Sequence, residues 1–180
     1  YEAFAINSVA MTFVRNEKFE PEQIIVINTK IAAKSEDVAS QLKAVLLPGD
    51  KPAFDGQQPI KNYRWQSISE VTSAVLNLST PMELKLVPSE DEWTKTHTFK
   101  IQSEPNRDLL LAISAGLKAI GGYELKDKYE SIVHVENYPQ EISIMSQGSI
   151  LTLSGDLKLP LLARNVSQVE YKLHRVIPDQ

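Results

Sequence analysis

Few residues in this chain could form a hydrolase site. Nucleophilic catalysis by serine needs a Ser, a His and a carboxylate brought together, and one common strand-to-helix elbow presents the serine in a Gly-x-Ser-x-Gly pattern. That pattern is absent, the only histidines are His97, His134 and His174, and there is no cysteine. We therefore expect no catalytic residue and no enzymatic activity in this chain.

Metal and cofactor sites are not indicated either. His97 and His134 lie in strand-like segments without a His-x-His or His-Glu-x-x-His spacing, so each imidazole is expected to meet solvent or to satisfy a polar group in the core. The acidic run Glu90-Asp91-Glu92 lacks the Asp-x-Asp-x-Asp-Gly loop that holds calcium, which favours a solvated turn. Gly121-Gly122 belongs to no phosphate-binding pattern and is interpreted as a backbone turn. We predict no metal-binding and no cofactor-binding residue.

The aromatic residues admit two interpretations. Trp65 and Trp93 could line a glycan platform together with Tyr63, since aromatic faces stack on sugars. Aromatic residues on short strands more often close the ends of a sandwich core, and we favour that packing role.

Composition restricts the possible partners. The 180 residues are 42% hydrophobic and 23% charged, as in an ordinary globular chain. A net charge of -4 and scattered Lys and Arg leave no basic stripe for phosphate contacts, so nucleic acid is not an expected partner. The longest apolar stretches, Ile24 to Ile27 and Ala44 to Leu47, are far shorter than the roughly 20 residues that span a bilayer. We expect no direct membrane insertion by this chain.

Most of the first 138 residues show the alternation typical of strands. The predicted strands are 4–14, Gln23 to Ile31, Met82 to Val87, Thr96 to Gln102, Arg107 to Ser114 and Tyr129 to Val135. Two short helices are predicted. One begins at Ser35, has apolar positions at Val38, Leu42, Val45 and Leu46, and ends at Pro48-Gly49; the other begins with the capping box Ser67-Ile-Ser-Glu70 and ends before Pro81.

Turn residues separate these elements and divide the chain. Pro48 to Pro59 is rich in Pro and Gly and is predicted to be an exposed loop, whereas Gly116 and Gly121-Gly122 suit tight reversals with positive φ. Asn137-Tyr138-Pro139 is interpreted as a domain linker. We predict domains at 1–138 and 139–180, the second containing strand segments only. Those segments are Glu141 to Met145, Ser149 to Leu153, Leu157 to Asn165 and Val169 to Ile177.

The last segment alternates cleanly, with Val169, Tyr171 and Leu173 on the face predicted to meet a core. The predicted fold class is mainly β: an Ig-like antiparallel sandwich with one or two short helices, followed by the first strands of a second sandwich. The chain starts at Tyr1 instead of Met and stops just after a strand-like run, which we interpret as a piece of a longer protein.

Several segments in order resemble one family. They are Trp93, Thr98-Phe99-Lys100, Glu104-Pro-Asn-Arg107, Gly116-Leu-Lys-Ala-Ile-Gly-Gly-Tyr123, Leu161-Leu-Ala-Arg-Asn-Val166 and Val169-Glu-Tyr-Lys-Leu-His-Arg-Val176. They resemble the N-terminal Ig-like and macroglobulin-like domains of bacterial alpha-2-macroglobulins. The second domain is thereby expected to be a partial macroglobulin-type β-sandwich.

The resemblance implies a structural part of a broad-range protease inhibitor, which traps a protease after the protease cuts a bait region elsewhere in the parent chain. It also implies a periplasmic parent, lipid-anchored in the envelope of a Gram-negative bacterium, with the remaining parent domains and target proteases as partners. A thioester, which some members carry, cannot form within this chain because it lacks cysteine. The alternative is an Ig-like binding or adhesin module that uses loops such as Pro48 to Pro59.

Overall fold

The computed structural model describes residues 3–53, 58–145, 160–172 and 174. The chain divides between Asn137 and Tyr138 into two compact units, which we call the N-terminal unit and the C-terminal unit. The strands of the N-terminal unit are β1 (Ile6–Arg15), β2 (Pro21–Ala33), β3 (Leu42–Leu46), β4 (Thr80–Met82), β5 (Lys85–Val87), β6 (Thr94–Ile101), β7 (Arg107–Ile113) and β8 (Tyr129–Val135). Two short α-helices accompany them, α1 (Ser35–Gln41) and α2 (Ser73–Asn77).

These strands form two antiparallel sheets. The front sheet has the order β1-β2-β6-β5 and the back sheet has the order β4-β3-β7-β8. Alternate residues of each sheet point inward, because successive side chains of a strand face opposite sides. Ile25, Ile27 and Phe99 of the front sheet thus meet Leu109 and Leu111 of the back sheet in one core. The predicted mainly β sandwich is confirmed.

Strand β7 is apolar on both faces, and both faces are covered. Leu109, Leu111 and Ile113 enter the core between the sheets, whereas Leu110 points outward. The connection from β3 to β4 lies over that outer face in its described residues, 47–53 and 58–79. It contributes Leu47, Trp65 and Val75 to a second, smaller core against Leu110. The N-terminal unit therefore has a covering segment on its back sheet as a third layer.

The predicted helix from Ser35 to Pro48 was correct only in its first half. Helix α1 ends at Gln41, and Leu42–Leu46 is strand β3, in the middle of the back sheet between β4 and β7. Leu42, Ala44 and Leu46 satisfy strand alternation, whereas Leu42, Val45 and Leu46 continue the helical spacing from Val38, and pairing with two strands decides between the two patterns. The predicted cap was also wrong, because Lys34 is the N-cap and makes no side-chain capping bond.

The second predicted helix is present in two pieces. Ser67 accepts a hydrogen bond from the Ser69 N–H and starts a single 3-10 turn at Ile68–Glu70, and helix α2 follows with Thr72 as its cap. The predicted strand from Met82 to Val87 was wrong as one element. It is broken at Glu83 and Leu84, so that β4 pairs with the back sheet and β5 with the front sheet.

Three glycines form the predicted tight turns. Gly116, Gly121 and Gly122 have φ of 91°, 81° and 79°, a region that residues with a side chain rarely occupy. They shape the connection between β7 and β8. Gly121-Gly122 is thus a backbone turn, as expected.

The described part of the C-terminal unit contains two antiparallel strands, β9 (Glu141–Ile144) and β10 (Leu161–Arg164). The predicted strand Ser149 to Leu153 lies outside the described residues, as do residues 157–159, 173 and 175–177 of the two other predicted strands. Residues 169–172 are not in a strand, and Tyr171 is 89% exposed, so the prediction that Tyr171 faces a core was wrong. Alternation alone does not hold a segment extended, and no strand among the described residues pairs with this one.

Leu111→Ala tests the main core, with Leu78→Ala as its matched control. Leu111 is 1% exposed and Leu78 is 59% exposed. We expect Leu111→Ala to lower the free energy of unfolding by about 2–5 kcal/mol, because it leaves a cavity, and Leu78→Ala by under about 0.5 kcal/mol. Urea unfolding followed by tryptophan fluorescence measures this, since both tryptophans lie in the N-terminal unit. Equal losses in the two variants would contradict the assignment of the core.

Candidate functional site

The carboxylate of Asp108 in β7 is a buried polar group with two hydrogen-bond partners. One of its oxygens accepts a hydrogen bond from the backbone N–H of Trp65 at 2.8 Å, and the other lies 2.7 Å from Nδ1 of His134. His134 is directly opposite Asp108 in the pairing of β7 with β8. The backbone carbonyl of Asp108 also accepts from the Leu47 N–H at 2.9 Å. Asp108 thereby joins two strands and the covering segment.

The Trp65 side chain makes further contacts within the covering segment. Its indole Nε1 donates to the Pro48 carbonyl at 2.8 Å, and its ring packs edge-on against Tyr63 with centroids 5.1 Å apart. The Tyr63 hydroxyl donates to Glu70 at 2.8 Å, and the Lys51 ammonium lies 4.6 Å from the Tyr63 ring. The Tyr63 hydroxyl, more than the charge of Lys51, lowers the pKa of Glu70. Trp65 is a buried packing residue and not part of an exposed platform.

A second polar pair lies in the main core. The Ser35 hydroxyl at the start of α1 is 2.9 Å from Nδ1 of His97 in β6. His97 is fully buried, and its Nε2 has no hydrogen-bond partner in the described part of the chain. Burial disfavours a charged imidazole and lowers the pKa of His97. A neutral His97 that donates from Nδ1 to Ser35 leaves Nε2 as an unpaired acceptor, which costs less than a buried unpaired N–H.

Neither pair has the geometry of a hydrolase. Ser35 and His97 are within hydrogen-bonding distance, but among the described residues Ser35 is the only side chain that bonds to the His97 ring. Both side chains are buried. Asp108 and His134 are together, but the further partner of the carboxylate is a backbone N–H and not a nucleophile. His174 is exposed in the C-terminal unit. The arrangement can hold strands and helices in place, and it offers no nucleophile to a substrate.

The acidic run 90–92 is exposed, as expected of a turn. The Glu92 carboxylate lies 2.6 Å from the Lys34 ammonium and, by this bond and its charge, raises the pKa of Lys34. Lys34 also lies 5.1 Å from the ring centre of Trp93. Among the described residues, no three His, Cys, Asp or Glu side chains are grouped so as to hold a metal ion.

Sequence reasoning missed Asp108 as the central polar residue. A signal was present, because Asp108 is the one acidic residue in the apolar run Arg107 to Ile113. A carboxylate buried in such a strand needs hydrogen-bond donors, and His134 at the matching position of the next strand is one. The donor from Trp65 could not be inferred, since it depends on how the covering segment folds back.

The architecture of the N-terminal unit defines a class of protein: antiparallel β-sandwich domains. No family model matches the sequence. Alpha-2-macroglobulin of Rickettsia conorii is 36% identical over 170 residues, 94% of this chain and 9% of that protein. The Yersinia pestis alpha-2-macroglobulin homolog is 31% identical over 182 residues, 99% of this chain and 9% of that protein. The chain belongs to the bacterial alpha-2-macroglobulin family, as the resemblance predicted, and spans about a tenth of the length of these relatives.

A solved structure agrees on the fold. The crystal structure of native alpha-2-macroglobulin from Escherichia coli, spanning domains MG0-NIE-MG1, matches 92% of this chain and 42% of its own with a TM-score of 0.51. Its sequence identity is 18%, so the likeness concerns the fold alone. Across the described residues, no helix has the length and apolar character needed to cross a membrane.

Asp108→Ala tests the polar connection. The Trp65 N–H would lose its buried acceptor, and we expect the free energy of unfolding to fall by about 1–3 kcal/mol. The control is Glu104→Ala, which removes an exposed carboxylate from the neighbouring Arg107 and should cost under about 1 kcal/mol. Urea unfolding followed by fluorescence reports both. A loss for Asp108→Ala no larger than that of the control would contradict the connecting role.

A pH series tests the burial of His97. Below the ordinary imidazole pKa of about 6.5 the unfolded chain binds a proton that native His97 resists, so this histidine destabilises the fold as the pH falls below that value. Its contribution to the slope is at most about 1.4 kcal/mol per pH unit. We expect His97→Gln to reduce the loss of unfolding free energy between pH 7.5 and pH 5.5. His134 and His174 remain in both proteins, so identical slopes would show that His97 is not held neutral.

Proposed function

We propose that this chain is an N-terminal, non-catalytic structural part of a bacterial alpha-2-macroglobulin that inhibits a broad range of proteases by trapping them. The observation that carries the proposal is the 36% identity to the Rickettsia conorii protein over 94% of this chain. Residues 1–138 form the Ig-like, macroglobulin-associated domain, and residues 139–180 belong to a macroglobulin-like domain. The parent acts in the periplasm, lipid-anchored to the envelope, and its bait region engages the target protease.

The internal pairing of polar groups supports a scaffold role. Asp108, His134 and the Trp65 backbone satisfy one another between the back sheet and its covering segment. Ser35 and His97 do the same between α1 and the front sheet. Such pairing holds the layers of the N-terminal unit together. The partners of this unit in the proposal are the other domains of the parent chain.

The described ends of the loop Pro48 to Pro59 favour this role over an adhesin. Lys51 and Ile60 exchange two backbone hydrogen bonds of 2.8 and 3.0 Å, and the Tyr63 N–H donates to the Gly49 carbonyl at 2.8 Å. The Asn62 N–H donates to the Asp50 side chain at 2.9 Å. The start of the loop is thus fastened to residues 60–63 just after it, in keeping with a structural connection.

A protease challenge of the full-length parent tests the trap. A trapped protease keeps an accessible catalytic site for small peptides but is shielded from large substrates. We therefore expect a stoichiometric amount of parent to abolish cleavage of a large protein substrate while cleavage of a small chromogenic peptide persists. A compaction of the parent, seen as faster migration in a native gel, should accompany the first cleavage.

Heat-denatured parent at the same concentration is the control, because it competes as a substrate without enclosing anything. Equal loss of activity toward both substrates would indicate an ordinary active-site inhibitor. Scattered cleavage with neither shielding nor compaction would reject the trap and make the adhesin the better account.

A further inference from the structure

The turn between β1 and β2 holds an aromatic residue in a backbone conformation that suits glycine. The loop 17–19 closes this hairpin, and its last residue, Phe19, has a φ of 61°. In three-residue hairpin loops the last residue is commonly left-handed, and glycine is the usual occupant. A bulky side chain in that region is an outlier, because its Cβ lies too close to the following carbonyl oxygen. The backbone at Phe19 is therefore strained.

The turn itself does not require a phenylalanine. The Phe19 N–H donates to the Asn16 carbonyl and the Asn16 N–H donates to the Glu20 carbonyl, both at 2.9 Å. The side-chain Oδ1 of Asn16 accepts from the backbone N–H groups of Lys18 and Glu20, also at 2.9 Å. All four bonds use backbone atoms or the Asn16 side chain. An asparagine or glycine at position 19 would keep them with less strain.

The Phe19 side chain belongs to neither core that the described residues of the N-terminal unit form, and it is 51% exposed. Burial in these cores therefore does not offset the strain of its backbone. Strained residues that persist in a fold cluster at sites that bind ligands or partners. Aromatic side chains are also enriched in protein interfaces. Phe19 thus has two features of an interface anchor.

A groove on the outer face of the front sheet begins at the same turn. Its volume is about 650 Å³, and both sequence neighbours of Phe19, Lys18 and Glu20, line it. Ile24 and Val87 contribute apolar surface to the groove. Apolar area bordered by charged side chains is the usual composition of a protein interface. The surface around Phe19 is therefore larger than one side chain.

We propose that Phe19 anchors the N-terminal unit to another domain of the parent chain, by entering an apolar pocket on a domain that lies outside these 180 residues. The proposal rests on the proposed function, in which this chain is a small part of the parent. It is supported by the relatives, of whose length this chain spans about a tenth. It adds to the proposed function the residue that makes the contact and the apolar pocket that receives it.

The size and charge of the surface favour a partner on the same chain. One aromatic side chain buries too little apolar area to hold a separate molecule, since association costs translational and rotational freedom. A domain of the same chain is already nearby at a high effective concentration, so a small contact suffices. Glu17 and Glu20 lie beside Phe19 with one cation, Lys18, and this excess of carboxylates opposes contact with anionic lipid headgroups.

Photo-crosslinking in the full-length parent identifies the partner. The amino acid p-benzoylphenylalanine in place of Phe19 keeps an aromatic side chain and, on irradiation, forms a covalent bond to a C–H group that it contacts. We expect mass spectrometry of the monomeric parent, irradiated with vesicles of phosphatidylethanolamine and phosphatidylglycerol present, to find position 19 bonded to a peptide outside the 180 residues. A bond to a residue within them, to a second copy, to lipid or to nothing would overturn the proposal.

The matched control places the same amino acid at Leu78, an apolar residue of the covering segment that is 59% exposed. It should not bond to the peptide found with position 19, and equal yields from both positions would overturn the proposal. No protease is added, so the result is separate from trapping. A parent that traps proteases without the crosslink would overturn the anchor alone, and a crosslink in a parent that does not trap would overturn the trap alone.

Urea unfolding of the 180-residue chain tests whether Phe19 instead stabilises the unit that carries it. Phe19→Asn suits the left-handed backbone, so we expect the equilibrium constant for unfolding to fall by roughly two- to tenfold. Asn62→Phe is the reverse change at an exposed residue with φ of 50°, and it should raise the constant by a similar factor. A constant that does not fall in Phe19→Asn would overturn the proposal, because contacts within this chain would then account for the phenylalanine.

Discussion

Burial of both faces of strand β7 is the constraint from which the N-terminal unit is built. Leu109 and Leu111 require the front sheet on one side, and Leu110 requires a cover on the other. Asp108 lies on the covered face, where an unpaired carboxylate would be costly. The covering segment must therefore bring a donor as well as apolar side chains, and the Trp65 N–H is that donor. One apolar strand with one buried carboxylate thus sets the position of a segment far away in sequence.

The two histidine pairs show how chemically capable residues can connect elements of a fold. Ser35 with His97 and Asp108 with His134 each contain two members of a hydrolytic triad, yet the further partner of Asp108 is a backbone N–H, and Ser35 and His97 are both buried. A buried hydroxyl, imidazole or carboxylate needs partners whether or not it reacts. Residue types alone therefore say little about catalysis, and the surroundings of each pair decide its role. Here those surroundings are strands, a helix start and a backbone amide.

Sequence patterns predicted the elements whose preference is local. Strand β8 has the predicted bounds, and β2, β6 and β7 differ from their predictions by a few residues, because alternation and flanking turns agree there. Leu42–Leu46 and the break at Glu83 depend instead on which strands come to lie alongside, information that a linear pattern lacks. The sequence predicted that an imidazole in the core would pair with a polar group, and His97 and His134 both do so. The spacing of residues could not predict that Asp108 accepts a hydrogen bond from Trp65 in the covering segment.

The pairing of distant strands has a consequence for the order in which the unit assembles. Strands β1 and β2 form a local hairpin. In contrast, β2 pairs with β6 and β3 pairs with β7 across long stretches of sequence, for example Gln23 with Ile101 and Leu42 with Ile113. Closing loops of this length costs entropy before any pairing is gained, which makes such topologies slow to fold. Until β6 arrives, the edge of β2 is unpaired, and until the back sheet arrives, the inner face of the hairpin, with Ile25 and Ile27, is uncovered. During synthesis from the N-terminus, β2 therefore has an unpaired edge until β6 has been made, and such an edge is open to pairing with other chains.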